Sequence, residues 1–140
     1  MATPTQSAFD LMDAYVHLED GGEAMPITVT ETFWQELMTG DYRSEETARI
    51  AAGGGWLVTK FHMNSDAPTW EMHPAGDELL YLLSGAMEVI LEERDGKRVV
   101  ELHMGAACLV PHGMWHRLII RTPGDLLAIT YGKGTQSRPA

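Results

Sequence analysis

The chain is short of cysteine, of basic side chains and of long apolar runs. Its one thiol, Cys108, cannot close an intramolecular disulfide, which suits a reducing cytoplasm. Ten Lys and Arg against twenty Asp and Glu leave a net charge of −10. That balance argues against nucleic acid as a partner, because binding phosphates needs a basic face. The longest unbroken apolar runs, Leu79 to Leu83 and Ala106 to Val110, are five residues each, far below the roughly 20 that cross a bilayer as a helix. Residues 1–6 carry neither a basic start nor an apolar stretch, so no secretory signal is expected. A cytoplasmic protein without a membrane partner is the resulting expectation.

What is present describes a globular domain: 140 residues, 44% hydrophobic and 21% charged, a length that makes one domain the default. The charge is unevenly spread. Residues 1–46 hold ten acids against Arg43 alone, and the remainder hold ten acids against nine bases, which reads as a solvated acidic surface on the first third. In that third a short helix is predicted, with Thr30 as N-cap, Phe33, Trp34, Leu37 and Met38 as an apolar packing stripe, and Gly40 at the C′ position. Residues 1–55 are thus an N-terminal extension with one helix, packed on the domain formed by residues 56–131. Residues 1–12 and the polar stretch 132–140 read as loosely held, the latter as a flexible tail.

From Trp56 to Tyr131 the pattern changes to short apolar runs between turn residues. Strands are predicted at 56–63, 69–73, 78–84, 86–92, 98–103, 107–111, 115–121 and 126–131, with Asp95-Gly96 as a type I′ hairpin turn. Eight short strands with no intervening helix make the class all-β, a sandwich or small barrel, and exclude a parallel α/β sheet, which needs crossover helices.

The chemistry concentrates in Glu71-Met72-His73-Pro74-Ala75-Gly76-Asp77-Glu78. Residues two apart on a strand face one side, so Glu71 and His73 point together. Pro74 to Gly76 bend the chain, and Glu78 can rejoin that side from the next strand. Two carboxylates and an imidazole buried together are costly unless a divalent cation compensates them. His116 is a fourth candidate, placed after the tight turn Pro111 to Gly113 at the start of a returning strand. Continuing the alternation inward from Glu78 gives Leu80 and Leu82, and from His116 gives Leu118 and Ile120. These, with His62, form the expected wall of a mainly apolar pocket for a small organic molecule. The opposite face, with Leu79, Tyr81 and Leu83, is apolar too and needs a cover, from the other sheet margin, the N-terminal segment or a second subunit; a homodimer is expected. His17 and His103 read as surface residues, and Cys108 as a small buried one.

These two stretches resemble the motifs of the cupin superfamily, Gly-x5-His-x-His-x3–4-Glu-x6-Gly and Gly-x5-Pro-x-Gly-x2-His-x3-Asn. The likeness covers residues 56–131, with a short gap between the motifs, as in small single-domain microbial cupins. It implies a double-stranded β-helix, the cupin jelly-roll barrel, with a metal centre inside. Glu71 takes the place of the first motif histidine, His73 matches the second, Glu78 the glutamate, Gly85 the closing glycine and His116 the histidine of the second motif. Counting back six residues from Gly85 selects Glu78 over Asp77, which is left to cap the turn. Ser65 and Ile120 depart from the motif glycine and asparagine. The exchange of histidine for Glu71 changes the metal shell itself. Two histidines and two carboxylates make a harder, formally neutral site for a divalent ion, favouring Fe or Mn, with Zn or Ni open. The resemblance implies a metal-dependent enzyme, an oxygenase or a lyase/isomerase, acting on a small organic acid or carbonyl compound. A non-catalytic ligand-binding or sensor protein and a metal-free epimerase-like enzyme remain as alternatives.

Overall fold

Alternating apolar side chains bury one face of each strand, and two sheets so made can cover each other. A computed structural model describes residues 7–140 in that arrangement; the expectations for residues 1–6 lie outside the described residues. The chain runs β1 (Ala14–Leu18), β2 (Ala24–Thr28), α1 (Phe33–Thr39), α2 (Glu45–Ala52), β3 (Trp56–Met63), β4 (Thr69–Met72), β5 (Glu78–Leu82), β6 (Ala86–Glu93), β7 (Gly96–His103), β8 (Ala107–Val110), β9 (His116–Thr122), β10 (Gly124–Thr130) and β11 (Gln136–Pro139). One sheet has the order β2-β1-β3-β10-β5-β8 and the other β11-β4-β9-β6-β7. All pairings are antiparallel.

The main core fills the space between the sheets. Leu80 and Leu82 of β5, Leu126 and Ala128 of β10, and Cys108 and Val110 of β8 face Met87, Val89 and Leu91 of β6 and Leu102 of β7. In β5 the register sets Leu82 opposite Leu126 and Leu80 opposite Ala128. The same face of the same pair ends in Glu78 opposite Thr130, so the core passes directly into polar side chains. A second cluster, Tyr15, Ile27, Phe33 and Leu57, attaches the N-terminal segment.

Several expectations need correction. The N-terminal segment is more than a helical extension, because β1 and β2 lengthen the first sheet through β1–β3 pairing. Helix α1 begins after Thr32, whose side chain makes no capping bond to the backbone; its hydroxyl donates to Glu36 at 2.8 Å instead. The stripe divides: Phe33 enters the core, while Trp34, Leu37 and Met38 line a cavity. Helix α2, which the sequence pattern does not announce, is capped by Ser44, whose Oγ accepts the Thr47 amide at 3.1 Å. The β6–β7 hairpin loop is Arg94-Asp95, with Glu93 opposite Gly96. A type I′ turn on Asp95 would need positive φ there, and among the described residues only glycines adopt it, Gly96 at 135°.

The stretch expected to be a loose tail also differs, since β11 pairs with β4. Its docking has a physical cause: the Arg138 guanidinium lies 5.4 Å from the Trp70 ring centre and 4.4 Å from that of Trp115, and it pairs with Glu92. Stacked between two indoles and paired with a carboxylate, one arginine holds a polar segment that composition alone would leave free.

Candidate metal centre

Both sheets deliver side chains to one point. Glu71 of β4 stands directly opposite His116 of β9 in the second sheet. Glu78 opens β5 in the first sheet, and His73 follows the end of β4. His73, Glu78 and His116 are buried, with 4–6% exposure. Ligand atoms of Glu71, His73 and His116 all lie within 4.8 Å of one another. Glu78 sits between the imidazoles, with Oε1 3.1 Å from His116 Nε2 and Oε2 3.2 Å from His73 Nε2. The four residues expected as ligands are thus neighbours in space. Asp77 lies apart and accepts both the His112 amide, at 2.9 Å, and its Nδ1, at 2.8 Å.

The hydrogen bonds fix which nitrogen of each ring carries the proton. His73 Nδ1 is 2.7 Å from Thr135 Oγ1, and that hydroxyl gives its own proton to the Gly132 carbonyl at 2.8 Å. Thr135 can therefore only accept from His73, so Nδ1 is the protonated nitrogen. His116 Nδ1 faces the Met114 carbonyl at 3.3 Å, an acceptor, so it too carries the hydrogen. In the neutral rings both Nε2 atoms then present lone pairs toward Glu78. Among the described residues, buried His73 Nε2 has no hydrogen-bond partner. An imidazole whose outer nitrogen is tied down and whose inner one is bare has the form of a metal ligand.

Electrostatics point the same way. Burial pushes the Glu78 carboxyl up, but the His116 and His73 imidazoles outweigh it and hold the group well below the carboxylate range. Thr130 adds a hydroxyl donor to Glu78 at 2.5 Å. Burial and then the Glu78 charge push the Glu71 carboxyl up. Burial works to lower the His116 imidazole, yet its bond to Glu78 prevails and the net shift is upward. A buried and a half-buried carboxylate gathered around two imidazoles make a site that a divalent cation would neutralise. Two imidazole nitrogens and carboxylate oxygens suit such an ion chemically, so the residues fit a metal.

The cluster lies in a cavity of about 430 Å³ whose lining includes Leu80 and Leu118 but not His62, Leu82 or Ile120. His62 points outward and bonds Asp125 at 2.9 Å. The β3 strand places its neighbours Phe61 and Met63 on the cavity instead. Leu82 is completely buried in the core, where Ile120 packs as well; the cavity ends one inward residue after Glu78, at Leu80. Sequence reading misses Thr130, Thr135 and His17. Far from being a surface residue, His17 is 4% exposed and lines the cavity; its alternation with Tyr15 on a five-residue strand is too short a signal.

A family model described as "Cupin domain" matches residues 57–130, while no curated protein matches the chain. Solved structures resemble parts of it. A protein from Neisseria meningitidis aligns with TM-score 0.47 and 24% identity over 54% of this chain and 72% of that one. A hydroquinone 1,2-dioxygenase in complex with Cd²⁺ and 4-hydroxybenzonitrile aligns with TM-score 0.47 and 21% identity over 56% and 59%. Hydroxypropylphosphonic acid epoxidase from S. wedmorenis, in complex with fosfomycin, aligns with TM-score 0.44 and 20% identity over 56% and 43%, so the chain spans less than half of that protein.

Proposed function

This chain belongs to the cupin domain family, and from that membership we propose that Glu71, His73, Glu78 and His116 hold a divalent metal ion beside a pocket for a small organic acid or carbonyl compound. Under this reading the two antiparallel sheets are the family's double-stranded β-helix. The observation that carries the proposal is His73 Nε2, buried 3.2 Å from Glu78 with no hydrogen-bond partner among the described residues, while His116 Nε2 lies 3.1 Å from the same carboxylate. Without a cation, the lone pair of neutral His73 faces a carboxylate across a repulsion that burial magnifies.

The reaction we propose is that of an oxygenase or a lyase/isomerase. A bound ion would supply Lewis acidity toward a substrate carbonyl or enolate oxygen. The protein's own part is orientation and exclusion of water: Leu80, Leu118 and Phe61 line the cavity beside the cluster, and apolar walls strengthen every charge interaction inside. Two carboxylates among the ligands favour Fe or Mn over Zn or Ni. If Glu71 is not a ligand, its raised carboxyl is placed to exchange a proton with substrate, the epimerase-like alternative. The non-catalytic binding or sensor protein uses the same pocket without turnover.

Metal analysis of protein purified without added metal or chelator tests this. Stoichiometric Fe or Mn supports the oxygenase, and Zn or Ni the lyase/isomerase. An intact fold with no metal removes the proposal and leaves the last two alternatives.

We further propose a homodimer in a reducing compartment. Leu109 is 70% exposed and Leu83 36%, and Leu109 lies opposite Leu79 on the β8–β5 pair, which groups apolar side chains on one outer edge. A monomer across the micromolar range in sedimentation would remove that part.

A further inference from the structure

We propose that His17 is the second polar pole of the cavity, binding the end of the ligand remote from the metal centre. The ligand is then an elongated, mainly apolar molecule with an oxygen donor at one end and an uncharged hydrogen-bonding group at the other. This rests on the metal-site reading for the first end only.

Sheet register gives the geometry. His17 of β1 is the direct partner of Leu57 on β3, Leu57 of Thr130 on β10, and Thr130 of Glu78 on β5. Direct cross-strand partners share a face, and all four line the cavity. The row therefore crosses the cavity wall from β1 to β5. Three interstrand steps separate the backbones of His17 and Glu78 by up to about 14 Å. Between the poles the lining is largely apolar, with Leu57, Phe61, Leu80 and the Trp34 ring. Trp34 already donates its indole N–H to Tyr15 at 3.1 Å, so it offers the cavity only its apolar surface.

His17 itself is the unexplained group. It is 4% exposed, and its imidazole has no hydrogen bond or ion pair with any described residue. Its nitrogens are not among the fully enclosed unpartnered atoms, so the ring meets the cavity space, where a ligand group can bond it. Gly55 runs close beside it: a Cβ there would meet the Leu18 carbonyl at 2.4 Å and His17 Nε2 at 3.1 Å. The cations that line the cavity, Arg117 and Lys133, come from segments of the metal centre, next to His116 and two residues before Thr135, whereas the charged residues next to β1 are acidic. Glu19 is paired with Arg49 at 2.8 Å. Asp20, beside Gly54, is bonded by the Tyr131 hydroxyl at 3.3 Å and has no cation paired with it among the described residues. Asp20 lies outside the lining, yet its unpaired charge would repel a carboxylate at this end and leave a hydroxyl unaffected.

Calorimetry on the full chain loaded with Mn²⁺ tests this with carboxylic acids of equal length, from four to ten carbons. They are offered unsubstituted, with a terminal hydroxyl, or as dicarboxylates. The terminal hydroxyl should raise affinity about tenfold at the best length, the equivalent of one well-placed hydrogen bond to a buried group. That advantage should vanish in His17→Leu and partly return in His17→Gln. In the unaltered chain, the His17 ring ¹⁵N resonances should move with the hydroxy acid and not with the unsubstituted acid, a readout that survives even if a variant fails to fold. Equal affinities across the set, no binding of any member, an advantage that persists in His17→Leu, or unmoved His17 resonances would overturn the proposal. Metal content separates the two readings. Bound Mn²⁺ without a His17-dependent preference ends this inference alone. A His17-dependent preference in protein that holds no metal ends the metal reading alone.

Discussion

Thr135 accepts the Nδ1 hydrogen of His73 at 2.7 Å while passing its own proton to the Gly132 carbonyl. The direction of that relay leaves His73 Nε2 bare inside the cavity. A residue in a segment that composition marks as loose therefore decides the tautomer of a buried imidazole. Replacing Thr135 with Val should free the ring to place its hydrogen on Nε2, where it can bond Glu78. Loss of such a partner typically weakens metal affinity about 10–100-fold. A titration of Mn²⁺ or Zn²⁺ into Thr135→Val, with Thr135→Ser as the rescuing variant, measures it; equal affinity in all three proteins would show that the relay is idle.

His116→Ala should abolish metal retention with little effect on folding, since His116 packs at the cavity rather than among the residues of the main core. Metal content and the thermal unfolding midpoint, read on one preparation, separate those effects. A full complement of metal in this variant would refute its assignment as a ligand.

Glu71→His should keep the ion and move its preference toward softer metals, because an imidazole replaces a hard oxygen and the formal charge of the shell rises by one. Competition between Mn²⁺ and Zn²⁺ reads the change. An unaltered preference would mean that Glu71 does not reach the ion.

Acidity should act in opposite senses on metal binding and on the metal-free fold. The folded His116 imidazole is shifted above 6.5 and the Glu71 carboxyl above 4.5, so protons compete with metal from above pH 6.5 downward. Affinity should fall about tenfold per pH unit for each proton displaced. In the metal-free protein, a raised folded value means the native state holds the proton more tightly. The stability His116 contributes is complete below pH 6.5 and is lost as pH rises through its folded value. Denaturant midpoints of chelator-treated protein between pH 6 and 9 should therefore decline with pH from this group, and a flat or rising profile would contradict the upward shift.

Leu82→Ala should cost about 2–5 kcal/mol, the usual result of emptying a filled core position, while leaving metal content unchanged. Leu82 is completely buried among Leu80, Met87 and Leu126 and has no place on the cavity wall. Urea midpoints would measure the loss; a cost below about 1 kcal/mol would place it at a looser site.

Alternation alone determined a good deal of this protein. Eight strands from Trp56 to Thr130 appear close to where period-two patterning puts them, because each buries one face and a one-residue slip would expose its whole apolar set. The same rule oriented Glu71 with His73 and returned Glu78 to their side. Tertiary structure decided what the pattern could not. His62 lies on the face of β3 opposite to Phe61 and Met63, and only the pairing of β3 with β10 settles which face meets the cavity. Residues 136–139 become a strand because Arg138 finds two indoles supplied by Trp70 and Trp115. His17 becomes buried because β1 joins a sheet whose next strand lies some forty residues onward. Local periodicity is written within a strand, whereas partners brought from distant segments are fixed by the closure of the fold.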